Sequence, residues 1–182
     1  MPARGYRGSR AHDPGEADVA VLTRLEDKLG EVIGLAMATQ VATELVVELT
    51  RELDPDLSER LQEMKDEAAE TEGRATELAD TFEGKKPAIL ERARAVRAKS
   101  IGALTSYLDN DSDALDGFEF LTMSVAAEVA HWSVLTQFNV RVEDEDLADL
   151  IAWAVPTQTR HLQLVLEGSR ELAAEFDPET LV

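Results

Sequence analysis

Glu128 and His131 stand three residues apart inside a stretch, residues 120–140, that holds almost no other charge. On a helix residues at that spacing share a face, so a carboxylate and an imidazole can reach one centre. Such a pair suits iron, manganese or zinc. Glu-x-x-His is common by chance, and its weight here comes from its surroundings. An unpaired carboxylate among Val125, Trp132 and Leu135 must either shift its pKa upward or find a partner. His161 is the natural partner, and an ion pair or charged hydrogen bond between the two needs no metal. A dinuclear carboxylate centre needs more, generally a Glu from each of two helices and Glu-x-x-His from two others. Glu44, Glu67 and Glu70 are the further candidate ligands. The supply is short, because Gln158 stands where a Glu would complete a second motif with His161, and the third segment offers only Ser100 or Ser106.

These residues must be positioned by helices. Five helical segments can be drawn, at 17–53, 56–83, 87–109, 114–138 and 144–175, and strand patterns are nearly absent. Asp54-Pro55-Asp56, Gly84-Lys85-Lys86-Pro87 and the polar run 109–113 mark the breaks, and the last of these supplies N-cap candidates. In the second segment Leu57, Leu61, Met64, Ala68, Thr71, Ala75, Leu78 and Phe82 form one seam at alternating four- and three-residue steps. The fourth gives Phe118, Leu121, Val125, Glu128, Trp132 and Leu135, and the fifth gives Leu147, Leu150, Ala154, Thr157, His161, Leu164 and Gly168. In the first, Ile33, Met37, Gln40, Glu44 and Val47 share a face. Polar seam residues thus fall near the middles of several helices, and antiparallel packing brings them to one level, where bundles hold cofactors and metals. Pro156, one turn before His161, predicts either a kink or a fresh helix start. Trp132 and Trp153 read as core or interface anchors.

Composition narrows the classes of function. The chain has 182 residues, enough for one domain with a real core, expected over 17–176 between tails at 1–16 and 177–182. Zero cysteines exclude disulfides, thiolate metal sites and cysteine nucleophiles, and fit a cytoplasmic location. With 37 acidic against 18 basic residues and a formal charge of -19, nucleic-acid binding is disfavoured. A membrane role is disfavoured too, since Glu128 and His131 interrupt residues 120–140 and no strongly basic amphipathic segment occurs. The early residues lack the apolar run of a secretory signal, and His12 among them has no assignable role. No Gly-x-Ser-x-Gly elbow or phosphate-binding glycine loop is present. The third segment is locally basic, with Lys85, Lys86, Arg92, Arg94, Arg97 and Lys99, and its charges are expected to pair with the second helix or a partner subunit.

The run Glu70-Thr71-Glu72-Gly73 with Glu77-Leu78 and Phe82, then 128–132, then 150–161, resembles the YciF-type stress proteins of the ferritin-like superfamily over most of residues 17–175. The resemblance implies an all-α, ferritin-like four-helix bundle with a fifth helix, a homodimer, and an iron or manganese site involving Glu128 and His131. Thr157-Gln158 departs from the paired glutamates of that family, which makes a degenerate site an equal expectation. Three functions remain open: a non-catalytic or weakly metal-binding bundle; a metal-dependent oxidase or peroxide-consuming protein using Glu44, Glu67 or Glu70, Glu128, His131 and His161; and a metal-free dimeric adaptor. The oxidase requires at least four of those ligands to converge.

Overall fold

A computed structural model describes residues 20–179; the tail expected at 1–16 with His12, the expected helix start at 17–19 and the final residues 180–182 lie outside the described residues. Five long helices follow in order: α1 Arg24–Thr50, α2 Pro55–Leu78, α3 Lys86–Tyr107, α4 Ala114–Val142 and α5 Glu145–Glu175, with a 3-10 turn Ala79–Thr81 after α2. Among the described residues every regular element is helical, so the protein is all-α.

Local chemistry sets the boundaries. Thr23 accepts from the Glu26 amide while Glu26 reaches back to the Thr23 amide, and this capping box starts α1 at Arg24, seven residues after the expected position 17. Asp54 caps α2 with Pro55 in its first turn, and Asp113 with Asp116 forms a second capping box at α4. α2 ends at Leu78 and not at 83, passing into the 3-10 turn and then Gly84 at φ 69°, a conformation glycine takes without steric cost. α4 runs four residues past 138. It stops where Glu143 turns left-handed and the Asn139 carboxamide bonds both the N–H and the carbonyl of Asp144. α5 continues unbroken through Pro156, so the helix does not restart there. The proline, lacking an N–H, leaves the carbonyl four residues earlier without its helical donor.

α1 packs against α2, α3 and α4, while α5 packs against α2 and α4. α3 therefore rests on α1, and it comes very close. A Cβ on Gly34 would lie 2.4 Å from the Ala93 carbonyl oxygen, and one on Gly30 would lie 2.8 Å from that of Ile89. Accordingly Arg92 of α3 pairs with Asp27 and Glu31 of α1 and not with the expected α2, while Lys86 pairs with Asp80 in the turn after α2. α1 is also the one helix among the described residues long and apolar enough to cross a membrane, and 56% of its most apolar window is buried here against its three neighbours.

The core falls into two apolar clusters. One gathers Val46, Leu57, Leu61, Phe118, Leu121 and Val165; the other gathers Leu29, Ile33, Ala75, Trp132, Leu135 and Leu147. On each of α1, α2, α4 and α5 the buried polar residues near mid-helix sit in the gap between the clusters: Thr39 and Thr43, Thr71, Glu128, and Thr157, Gln158 and His161. The seams read for α2, α4 and α5 point inward, with Leu164 half-buried beside Val165. The seam read for α1 does so only in part, at Ile33 and Val47. Glu44 is exposed, and the inward face carries Val32, Ala36, Thr39, Thr43 and Val46.

Candidate functional site

Glu128 sits at the centre of the polar layer and is 2% exposed. Its neighbours Val125, Leu121 and Trp132 on α4 are fully enclosed, so the helix carries it into the interior. Thr39 of α1 donates its hydroxyl to Oε1, and Oε2 finds no hydrogen-bond partner among the described residues. Burial pushes the carboxyl up to about 7, against the smaller opposing effect of the Thr39 bond. At neutral pH the group is therefore divided between acid and anion. Three more buried side chains of the same layer have atoms without partners: Thr43 Oγ1, both amide atoms of Gln158, and His161 Nδ1.

His161 does not pair with Glu128 as the sequence suggested. Its Nε2 lies 2.7 Å from Glu67 Oε2 on α2, and Arg160 donates to the other Glu67 oxygen at 2.7 Å. With Nε2–H donating, Nδ1 is left as the unprotonated, enclosed atom. Burial holds the His161 pKa below its ordinary value although Glu67 acts to raise it. Glu67 also pays a desolvation penalty, yet its hydrogen bonds from His161 and Arg160 hold its carboxyl below the usual range. Read from sequence only as a candidate metal ligand, Glu67 is brought by the antiparallel packing of α2 on α5 against His161 and Arg160.

His131 occupies a different environment from Glu128. It turns toward the junction of α1, α3 and α4, where Nδ1 lies 3.0 Å from Glu31 Oε2 and 3.3 Å from Lys28 Nζ. Lys28 and Arg92 both pair with Glu31. Burial and the Lys28 charge hold His131 below its ordinary pKa, against the pull of Glu31. Glu31 is itself lowered, because Lys28, His131 and Arg92 overcome its burial. Neither Glu31 nor Lys28 was singled out from sequence. The signal was available in their three-residue spacing at the start of an otherwise apolar helix.

The remaining candidates are surface groups. Glu44 pairs with Lys65 at 3.0 Å and Glu70 with Arg74 at 2.6 Å. The six proposed ligands thus separate into five sets: Glu44, Glu70, Glu67 with His161, Glu128, and His131. Among the described residues no three His, Asp or Glu side chains gather so as to hold a metal ion. The donor set does not fit a dinuclear iron or manganese centre.

A second site was invisible in the sequence. Between α3 and α4, over a floor from α1, lies a groove of about 320 Å³ walled by Leu35, Ile101, Ala103, Leu104, Phe120 and Met123, with Thr39, Ser100, Ser124 and Tyr107 also in its lining. Ser100, expected in the polar layer, lines this groove because α3 packs outside α1. A comparable opening of about 330 Å³ at the Glu67–His161 pair is edged by Arg60, Glu63, Arg160 and Glu167 and is highly charged. Comparison with protein-family models, with curated proteins and with solved structures finds no match to this chain.

Proposed function

We propose that the chain is a non-catalytic helical scaffold, ferritin-like in the arrangement of α1, α2, α4 and α5, whose working surface is the groove between α3 and α4 together with the adjoining face of α4. The groove carries this reading. On a protein of charge -19, a hollow walled by Leu35, Ile101, Phe120 and Met123 is where apolar surface gains most by being covered. Its shape, two helical walls over a helical floor, suits the apolar face of a helix. The separation of Glu44, Glu67, Glu70, Glu128, His131 and His161 supports a structural use of the polar layer, fixing helix register, over metal-dependent oxidation. The absence of cysteine is consistent with the cytoplasm as its compartment.

The test is titration with anilinonaphthalene sulfonate, followed by fluorescence, of the wild type and Ala103→Arg. Ala103 is an exposed residue on the α3 wall, so an arginine there fills the groove without entering the core. The expected result is saturable binding that weakens by about tenfold or more in the variant, equivalent to roughly 1.4 kcal/mol. Equal binding by the two proteins, with helicity and melting unchanged, would discard the groove as the working surface.

A further inference from the structure

Of the nine large apolar side chains most exposed among the described residues, four lie on α4: Met123, Val134, Val140 and Val142. The whole outer face of α4 is unusual. Between Glu119 and Arg141 its exposed positions carry no charge at all, in a chain of which 30% is charged. Stepping along the helix by threes and fours from the pole opposite the core gives Glu119, Met123, Ala126, Ala130, Val134, Gln137 and Arg141, every one exposed. This strip is about 33 Å long at the helical rise. Its two ends are of opposite charge, and Arg141 is the single Lys or Arg between Lys99 and Arg160.

We propose that this strip is covered by the same strip of a second copy, with the two α4 helices antiparallel about a two-fold axis at Ala130. The inference rests on the scaffold reading and names the occupant of its α4 face. Self-complementarity is what selects a second copy. When Ala130 meets Ala130 of the partner subunit, positions whose numbers sum to 260 come opposite one another. Each Ala126 then faces a Val134, each Met123 a Gln137, and each Glu119 an Arg141. Val134 meets the small Ala126, Met123 meets the uncharged Gln137, and the charged ends meet their opposites on both sides of the axis, as an isologous contact demands. The small residues at the centre allow the helix axes to approach to about 8 Å. A parallel pairing would instead stack Glu119 on Glu119 and Arg141 on Arg141. The uncharged strip is also the face on which two molecules of charge -19 can meet with least desolvation of charge. One helix pair buries less than the roughly 800 Å² per partner of a standard interface, so the association is expected to be reversible and dependent on concentration.

Sedimentation equilibrium over a wide concentration range tests this, with the full chain. The wild type is expected to pass from monomer to dimer. Ala130→Glu, which sets two carboxylates against each other on the axis, is expected to remain monomeric with unchanged helicity and melting, since the position is exposed. Glu119→Arg and Arg141→Glu should each weaken the dimer, by about tenfold for the two symmetry-related contacts, and the double exchange should recover the wild-type constant. A wild type that stays monomeric, or an Ala130→Glu dimer as tight as wild type, overturns the proposal. Single exchanges that weaken without recovery in the double variant overturn the antiparallel register. Dye binding in the groove, blocked by Ala103→Arg, is read independently, so a monomer that still binds dye refutes the pairing and leaves the scaffold reading standing.

Discussion

Glu128 and His131 lie less than one helical turn apart and yet belong to two different kinds of polar region. Around Glu128 partners are scarce: one threonine hydroxyl for the carboxylate, with Thr43, Gln158 and His161 each leaving an atom unmatched nearby in the layer. Around His131 partners are in excess, with Lys28, Glu31 and Arg92 drawn together where α1, α3 and α4 meet. Residues three apart differ by about 60° around a helix. That angle is enough to send one side chain between the apolar clusters and the other to a half-buried seam. A shared face on a helical wheel is therefore a weaker constraint than a shared site. The scarce region stores its cost as a shifted carboxyl pKa, whereas the crowded region spreads charge over several groups and is tolerant of loss.

This contrast can be broken most forcefully at Glu128. Its folded value of about 7 lies above the ordinary 4.5, so the folded state holds this proton more tightly than the unfolded chain does. The contribution to stability is full below 4.5, declines as pH rises, and is lost above 7. Glu128→Gln keeps a neutral group beside Thr39 and removes that dependence. It is expected to be more stable than wild type by about 3 kcal/mol at pH 8 and equal to it near pH 4, a difference read by urea unfolding at the two values. A variant that is destabilised alike at both would show that the carboxylate is partnered after all. Next in size is Glu67→Ala, which strips the enclosed His161 of the only side-chain bond it makes among the described residues. A loss of about 1 to 2 kcal/mol at neutral pH is expected in the same assay, and no loss would detach Glu67 from the polar layer. His131→Gln should cost least, within about 0.5 kcal/mol, because Lys28 and Arg92 still neutralise Glu31. A cost as large as that of Glu67→Ala would make the two regions alike. Finally, elemental analysis after reconstitution with ferrous iron or manganese should find well under one metal per chain, in wild type and Glu128→Ala alike; stoichiometric metal abolished by the substitution would bring the separated ligands back into one site.

The inward faces of α2, α4 and α5 were readable because each of those helices buries one stripe, and a stripe has a period. α1 was misread for the same physical reason. It touches three helices, is buried on several sides, and so offers no single period; choosing Glu44 over Thr39 and Thr43 was the outcome. The polar residues themselves were visible, since Glu128 and His161 break apolar seams. Their pairings were not, because Thr39 carries no mark of the helix it will meet, and Glu67, though a candidate ligand, carries none that seats it on His161. The location of α3 was also hidden. Gly30 and Gly34 look like two weak points in a helix until the Ile89 and Ala93 carbonyls are found against them.

The two tryptophans divide the molecule optically. Trp132 is 1% exposed in the cluster beyond the polar layer, while the half-buried Trp153 lies with Arg74 of α2 at 4.3 Å from its ring. The enclosed indole emits at short wavelength, and the outer one emits further to the red with an intensity set by a cation on the neighbouring helix. The protein therefore carries its own two-channel fluorometer: one signal follows the integrity of the interior, and the other follows the spacing of α2 and α5 along the side that holds Glu67 and His161.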